Sequence, residues 1–300
     1  MSKAAQLRSM MQRGGMIVAP GAYDGITATA IAHAGFSAVY MTGSGTAASH
    51  GYPDYGLLTM TEMVENATRI AAASGLPVIA DADTGYGNEL NAVRTVREFE
   101  RRGIAAIHIE DQVFPKKCGH LDNKEIVPFD DYIAKIRAGS EARVDPDFVL
   151  IARTDARAVA GFDEAIRRAN AALAAGADMA FVEAPQSAEE VAAVPRLVNG
   201  PCLLNVVRRG KTPPVELNAA ESMGYRLAII PSLLFRGVIG YCEDLLAQLK
   251  ATNVVPAPDK DLTPQEAFAR FGSEEWDSIR ERYRGEAGEA SSARARSGRG

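Results

Sequence analysis

Ala105-Ala-Ile-His-Ile-Glu-Asp111 is an apolar run long enough for one strand; it ends in ionisable residues and follows a helical pattern closed by Gly103. A segment that is apolar on both faces and polar only at its C-terminal tip suits a parallel strand covered by helices. Working outward, similar short runs recur at 16–19, 38–42, 77–83, 148–155, 179–184, 202–207 and 227–231, which makes eight. Between them, 59–74, 88–102, 129–141 and 162–175 carry apolar residues at helical spacing, and Gly75, Gly103 and Gly176 stand where helices end. Eight strand–helix units in roughly 250 residues predict an α/β fold of the (β/α)8 TIM-barrel type. A doubly wound open sheet shares the alternation but seldom needs eight strands.

Composition narrows the function. The chain has 300 residues, 47% hydrophobic and 24% charged, with a net charge of -5. No basic stripe offers a surface for phosphates, so nucleic acid is not an expected partner and a small molecule is. Residues 1–13 are polar and lead into Met16 without a signal-peptide pattern, and no run of about 18 apolar residues spans a membrane. Cys118, Cys202 and Cys242 are an odd, widely spaced set that fits a reducing cytoplasm. We expect a barrel domain over 1–250, a helical extension over 251–284, with 264–283 packing on a neighbouring subunit or over the site, and a disordered tail rich in Gly, Ala, Ser and Arg over 285–300.

Barrel enzymes carry their chemistry at the C-terminal strand ends. Polar residues stand there repeatedly: Tyr40-Met-Thr-Gly-Ser44, Asp81-Ala-Asp83, His108-Ile-Glu110, Arg153-Thr-Asp155, Glu183 and Asn205. Strand alternation puts Asp81 and Asp83 on one face, and His108 and Glu110 on one face of the next strand. Carboxylates brought that close repel one another unless a cation offsets the charge, and hard oxygen ligands with room for water suit Mg2+, with Mn2+ as a substitute. The plainer reading is that these acids cap helices or pair with Arg153 or a lysine. Gly43-Ser-Gly45 is a turn able to cradle an anion; no dinucleotide or Walker fingerprint occurs.

The loop after the fourth run reads Pro115-Lys-Lys-Cys-Gly-His120. Flanking cations would lower the Cys118 pKa from roughly 8.5 and suit it to proton transfer; an exposed basic turn with an incidental cysteine is the alternative. Cys202 and Cys242 read as small core residues, and His108 as either a ligand-orienting or a structural histidine.

The motifs Asp81-Ala-Asp-Thr-Gly-Tyr-Gly87, His108-Ile-Glu-Asp-Gln112, Lys116-Lys-Cys-Gly-His120 and Ile151-Ala-Arg-Thr-Asp155 together resemble the isocitrate lyase and phosphoenolpyruvate mutase superfamily, over about residues 16–283. The resemblance implies a barrel whose last helix is exchanged between subunits of a homotetramer. It implies Mg2+ at Asp81 and Asp83, with Glu110 and Asp54 in the surrounding shell. It implies a carboxylate held by Thr42, Gly43 and Ser44, and substrate contacts from Gly119, His120, Arg153, Glu183, Asn205 and Arg236. Tyr40 and Cys118 match the catalytic tyrosine and cysteine: the tyrosine would take the proton of a 2-hydroxyl, C2–C3 would break, and the cysteine would protonate the enolate-like carboxylate behind a closing loop.

The Lys-Cys-Gly-His sequence resembles the lyase signature and so implies carbon–carbon cleavage of a 2-hydroxy di- or tricarboxylic acid, of 2-alkylmalate or 2-methylisocitrate type. Where methylisocitrate lyases have a Glu this chain has Arg208, and where they carry an additional carboxylate-binding Arg it reads Thr263-Pro-Gln-Glu-Ala267. The large insertion of isocitrate lyases is missing. What remains resembles the dimethylmalate lyase and petal-death-like group, with Arg208 and Arg209 unusual even there. Oxaloacetate hydrolysis or decarboxylation, phosphonate mutation of the carboxyphosphonoenolpyruvate type, and a non-catalytic keto-acid-binding barrel are the competing readings.

Overall fold

The computed structural model describes residues 1–284. Eight parallel strands close into a barrel in sequence order: β1 (Ile17–Ala22), β2 (Val39–Met41), β3 (Val78–Asp81), β4 (Ala106–Glu110), β5 (Val149–Thr154), β6 (Met179–Val182), β7 (Cys202–Asn205) and β8 (Leu227–Ile230). β1 pairs with both β2 and β8, which completes the closure, and the open sheet is excluded. The expected tail at 285–300 lies outside the described residues.

The strands are buried almost throughout because each has a barrel interior on one side and helices on the other. Alternation sorts their side chains. Ile17, Tyr40, Ile79, Ala106, Ile151, Phe181, Leu203 and Ile229 form one interior cluster. Outward residues such as Val39, Val78, Ile107 and Leu150 join a second cluster with Ile70, Val96 and Ile136 of the surrounding helices. Leu7 of the helix Lys3–Gln12 belongs to the interior cluster, so that helix plugs the N-terminal end of the barrel. The polar look of residues 1–13 hid it.

The expected helices appear as Met60–Ser74, Glu89–Arg101, Phe129–Glu141 and Phe162–Ala174. Met60–Ser74 starts in a capping box between Thr59 and Glu62 and stops at Gly75, which is left-handed at φ 64. The strands end within a few residues of the runs read from the sequence, and at two of them the difference has a clear cause. β1 runs on through Pro20 and Gly21, where a Cβ on Gly21 would lie 2.5 Å from the Pro231 carbonyl oxygen, so the neighbouring chain fits only against glycine. β3 stops at Asp81 because Asp83 is left-handed (φ 47) and turns the chain away. Gly43-Ser-Gly45, read as a turn, opens the helix Gly43–Ser49, capped by the Thr42 hydroxyl.

The chain divides into compact units at Gly240/Tyr241, inside the helix Leu233–Thr252, rather than at 250. No residue of that helix is buried. In the second unit the stretch expected over 264–283 is a short helix, Pro264–Ala269, and a further helical run over 273–284, interrupted at Gly272 (φ 77). No described helix is long and apolar enough to cross a membrane.

Candidate active site

Up the inside of the barrel, the apolar cluster gives way to a polar layer at the strand tips: Thr42, Asp81, Arg153, Glu183 and Asn205 each stand two residues beyond an apolar inward residue, and Glu110 two beyond His108. Strand alternation alone produces this layer. Above it lies a cavity of about 190 Å3 lined by Tyr40, Thr42, Ser44, Asp54, Asp81, Cys118, Gly119, His120, Arg153, Glu183, Asn205 and Arg236, with Phe235 among the remaining walls. A space below the several hundred Å3 of larger ligand sites matches a small acid.

Most residues singled out from the sequence therefore converge. Gly43 does not line the cavity, yet a Cβ there would lie 2.3 Å from Asp81 Oδ2, so its role is to let the carboxylate approach the helix start. Asp83 and Glu110 also stand back from the cavity. Lys116 Nζ bridges Asp54 Oδ1 at 2.5 Å and Asp83 Oδ1 at 2.9 Å. Glu110 Oε2 lies 3.1 Å from Arg153 Nη1, whose guanidinium also meets Asp155 at 2.9 Å and Glu183 at 3.5 Å. Thus the plainer pairing with Arg153 and a lysine is realised for two of the acids.

Electrostatics follow from this arrangement. Burial opposes ionisation of Asp81, but His108, Lys116 and Arg153 outweigh it and hold the carboxyl at about 2. Burial, with the charges of Asp81 and Asp54, raises Asp83 to about 6 against the pull of Lys116. Tyr40 donates toward Asp81 Oδ2 at 3.4 Å and shares a 2.9 Å hydrogen bond with His108 Nε2; burial, then Asp81, holds its phenol well above 10. Burial lowers His108 to about 4, so it is neutral, stacked on Tyr40 and set edge-on to Phe181.

The expectation for Cys118 is reversed. Lys116 turns away to the acids, the thiol is mostly buried, and burial with Asp54 pushes it up to about 11. It is a thiol at neutral pH, placed by its own amide donating to Asp54 O at 3.0 Å. Cys202 is buried as expected, whereas Cys242 is exposed on its helix. His120 accepts from the Lys211 amide at Nδ1 (3.0 Å), which leaves Nε2–H to face Glu183 Oε1 at 3.3 Å. Arg236 is steadied by donating to Arg208 O at 2.8 Å. The Arg208 and Arg209 side chains do not line this cavity; they border a neighbouring hollow of about 410 Å3 formed by residues 204–215.

Among the described residues no three acids, histidines or cysteines stand close enough to share one ion. Asp54 and Asp81 nevertheless bring carboxylates to the cavity wall, hard oxygen donors that fit a divalent cation held partly through water. Asp81 offers its carboxylate to the cavity, and buried polar atoms without hydrogen-bond partners on the same strand ends, Glu110 Oε1, Thr84 Oγ1 and Tyr86 Oη, are positions where ordered water would be satisfied.

Sequence reasoning set Asp155 among the polar strand ends without giving it a role and missed Lys124; together they build the floor beneath Arg153 without touching the cavity. Asp155 was visible in Ile151-Ala-Arg-Thr-Asp155, but nothing in the pattern marked Lys124.

A closed parallel barrel with an acid- and arginine-lined mouth and a cysteine loop over it defines a barrel enzyme of small-acid chemistry. The profile of the phosphoenolpyruvate phosphomutase family matches residues 7–250, and the chain belongs to the phosphoenolpyruvate mutase/isocitrate lyase superfamily. It is 50% identical over 251 residues to 2,3-dimethylmalate lyase of Eubacterium barkeri, covering 83% of this chain and 87% of that one. It is 40% identical over 247 residues to 2-methylisocitrate lyase of Bacillus subtilis (82% and 81%). A crystal structure of 2,3-dimethylmalate lyase superposes with a TM-score of 0.89 at 41% identity, over 93% of this chain and 94% of that one.

Proposed function

We propose that the chain is a Mg2+-dependent carbon–carbon lyase that splits a 2-hydroxy dicarboxylic acid of the 2-alkylmalate type into pyruvate or another 2-keto acid and a carboxylic acid. The observation that carries this reading is Cys118: a protonated thiol at the wall of a small cavity, opposite carboxylate-binding residues, is a proton donor awaiting a carbanion. The relatives, both lyases of small hydroxy acids by name, support the same chemistry.

Asp81 would hold the ion directly, with Asp54, Asp83 and Glu110 reaching it through water. When bound, Mg2+ supplies a Lewis acid for the substrate's 2-oxygen and its carboxylate. The chain's own residues do the rest. Thr42, Ser44 and the first turn of Gly43–Ser49 receive the 2-carboxylate; Arg153, His120 and Asn205 receive the distal one, with Gly119 and Glu183 shaping the space and Arg236 at the mouth. The 2-hydroxyl loses its proton, the C2–C3 electron pair passes to C3 as C2 becomes a ketone, and Cys118 Sγ–H protonates C3. Because Tyr40 is a phenol at rest with its O–H toward Asp81, it would accept the hydroxyl proton only as its own O–H turns to His108 Nε2, 2.9 Å away, in the tautomer that leaves that nitrogen free. The loop carrying Cys118 keeps water from the enolate.

We further place the enzyme in the cytoplasm, where its free cysteines persist, and read it as a homotetramer. The helix Leu233–Thr252 has no buried residue and exposes Leu246 and Leu249 among others, a face that an exchanged neighbour would cover.

Release of a 2-keto acid, read with lactate dehydrogenase, tests the reading: pyruvate from 2-methylisocitrate or 2,3-dimethylmalate, 2-oxobutanoate from 2-ethyl-3-methylmalate, with oxaloacetate run beside them. One hydroxy acid should give its keto acid only with Mg2+, and EDTA should abolish it. Turnover of oxaloacetate alone, to oxalate and acetate or to pyruvate and carbon dioxide, would replace it with the hydrolase or decarboxylase.

A further inference from the structure

We propose that Lys124 is a positioning residue that sets the Cys118-Gly119-His120 turn and the Arg153 guanidinium together, through the one carboxylate of Asp155. Lys124 Nζ donates to Gly119 O and to Asp155 Oδ1, each at 2.5 Å, and both side chains are essentially inaccessible. Asp155 in turn accepts from Arg153, at Oδ2 from Nε (2.9 Å) and at Oδ1 from Nη2 (3.3 Å), while its own amide is fixed by Asp111 Oδ1 at 2.8 Å. Gly119 and Arg153 line the cavity; Lys124 and Asp155 do not.

A buried ammonium is costly unless its partners are in place, so one this deep has a job that an apolar residue would not do. Charge balance names the job. Arg153 faces three buried carboxylates, Glu110, Asp155 and Glu183. Lys124 is the second cation on Asp155, and it leaves the guanidinium free to divide itself among the other two. The turn is pressed on the same guanidinium, since a Cβ on Gly119 would lie 2.6 Å from Arg153 Nη2. Unseating Lys124 therefore moves the thiol-bearing turn and the arginine at once.

The test follows Cys118 alkylation by iodoacetamide, read by peptide mass spectrometry, and steady-state kinetics on the preferred 2-alkylmalate, in Lys124→Met, Asp155→Asn and the double variant. Lys124→Met should be alkylated at Cys118 at least about tenfold faster and lose about 10- to 100-fold in kcat with KM within about threefold, as expected when a transition-state group is displaced. The double variant should be no worse than the worse single one, because the two residues act as one unit. Arg143→Met breaks the Arg143–Asp178 pair (2.6 Å) at the other end of the barrel and should leave both readouts at wild-type values. If Lys124→Met does not fold, Lys124→Gln, uncharged but still able to donate to Gly119 O, should shift both readouts in the same direction and less far. Wild-type alkylation in the Lys124 variant, or losses that multiply in the double variant, would overturn the proposal. The kinetic half rests on the lyase reading; alkylation does not, so absence of turnover in the wild type would sink that reading and leave the positioning role to be decided by Cys118 alone.

Discussion

Cys118 shows how burial and neighbours override local sequence. Lys116 and Lys117 beside it read as an activating field, but Lys116 spends its charge on Asp54 and Asp83, and the thiol is pushed up to about 11. A donor, not a thiolate nucleophile, results. Cys118→Ser should therefore keep the fold and KM and lose about 10^2- to 10^4-fold in kcat, the range of a general acid's contribution; a variant with wild-type kcat would remove Cys118 from the mechanism. Asp155 supplies a second test. Burial disfavours its charge, but Arg153 and Lys124 hold it at about 2, below the ordinary 3.8. A depressed folded-state pKa contributes stability above the unfolded value, lost as pH falls through the folded one. The stability difference between wild type and Asp155→Asn, measured by urea unfolding, should be constant above about pH 5 and shrink between about pH 4 and 2. A difference that grows on acidification would contradict the assigned pairing.

At the level of elements, local signals decided more than expected. The Thr59 and Glu62 capping box and Gly75 bound Met60–Ser74 as the sequence indicates, and Thr59→Ala should lower stability by about 1 kcal/mol in thermal unfolding, with no change in kcat. The strands were legible because a barrel buries both of their faces, and the polar tips because any interruption of an apolar run stands out. Asp54 and Arg236, and the substrate-contact role of Gly119 and His120, entered only through the family resemblance, since these residues lie on loops or a helix start without periodicity. The opposite failures are just as physical. Pro20 and Gly21 look like breakers yet continue β1, because they lie against the parallel β8 and the chain just past it at Pro231. Alternation wrongly carries Asp83 into line with Asp81, because it cannot see a left-handed residue at 83. Lys124 was invisible for a different reason: its partners Gly119 and Asp155 are brought to it only by the closed barrel.

For the whole molecule, a 32.0 kDa chain leaves Leu246, Leu249, Phe268 and Trp276 exposed. Light scattering after size exclusion should give four times the chain mass, and Leu246→Glu/Leu249→Glu should reduce it; a monomer in the wild type would refute the tetramer. Added Mg2+ should raise the melting temperature and EDTA reverse the gain, since a ligand of the folded state stabilises it by mass action. The central claim is cleavage between C2 and C3 with protonation at C3. It is tested most directly by NMR of the products from 2,3-dimethylmalate with Mg2+ in D2O. The account predicts pyruvate and propionate in equal amounts, with one deuterium at C2 of the propionate. Propionate formed without a keto acid, or no cleavage of any alkylmalate beside oxalate and acetate from oxaloacetate, would contradict it.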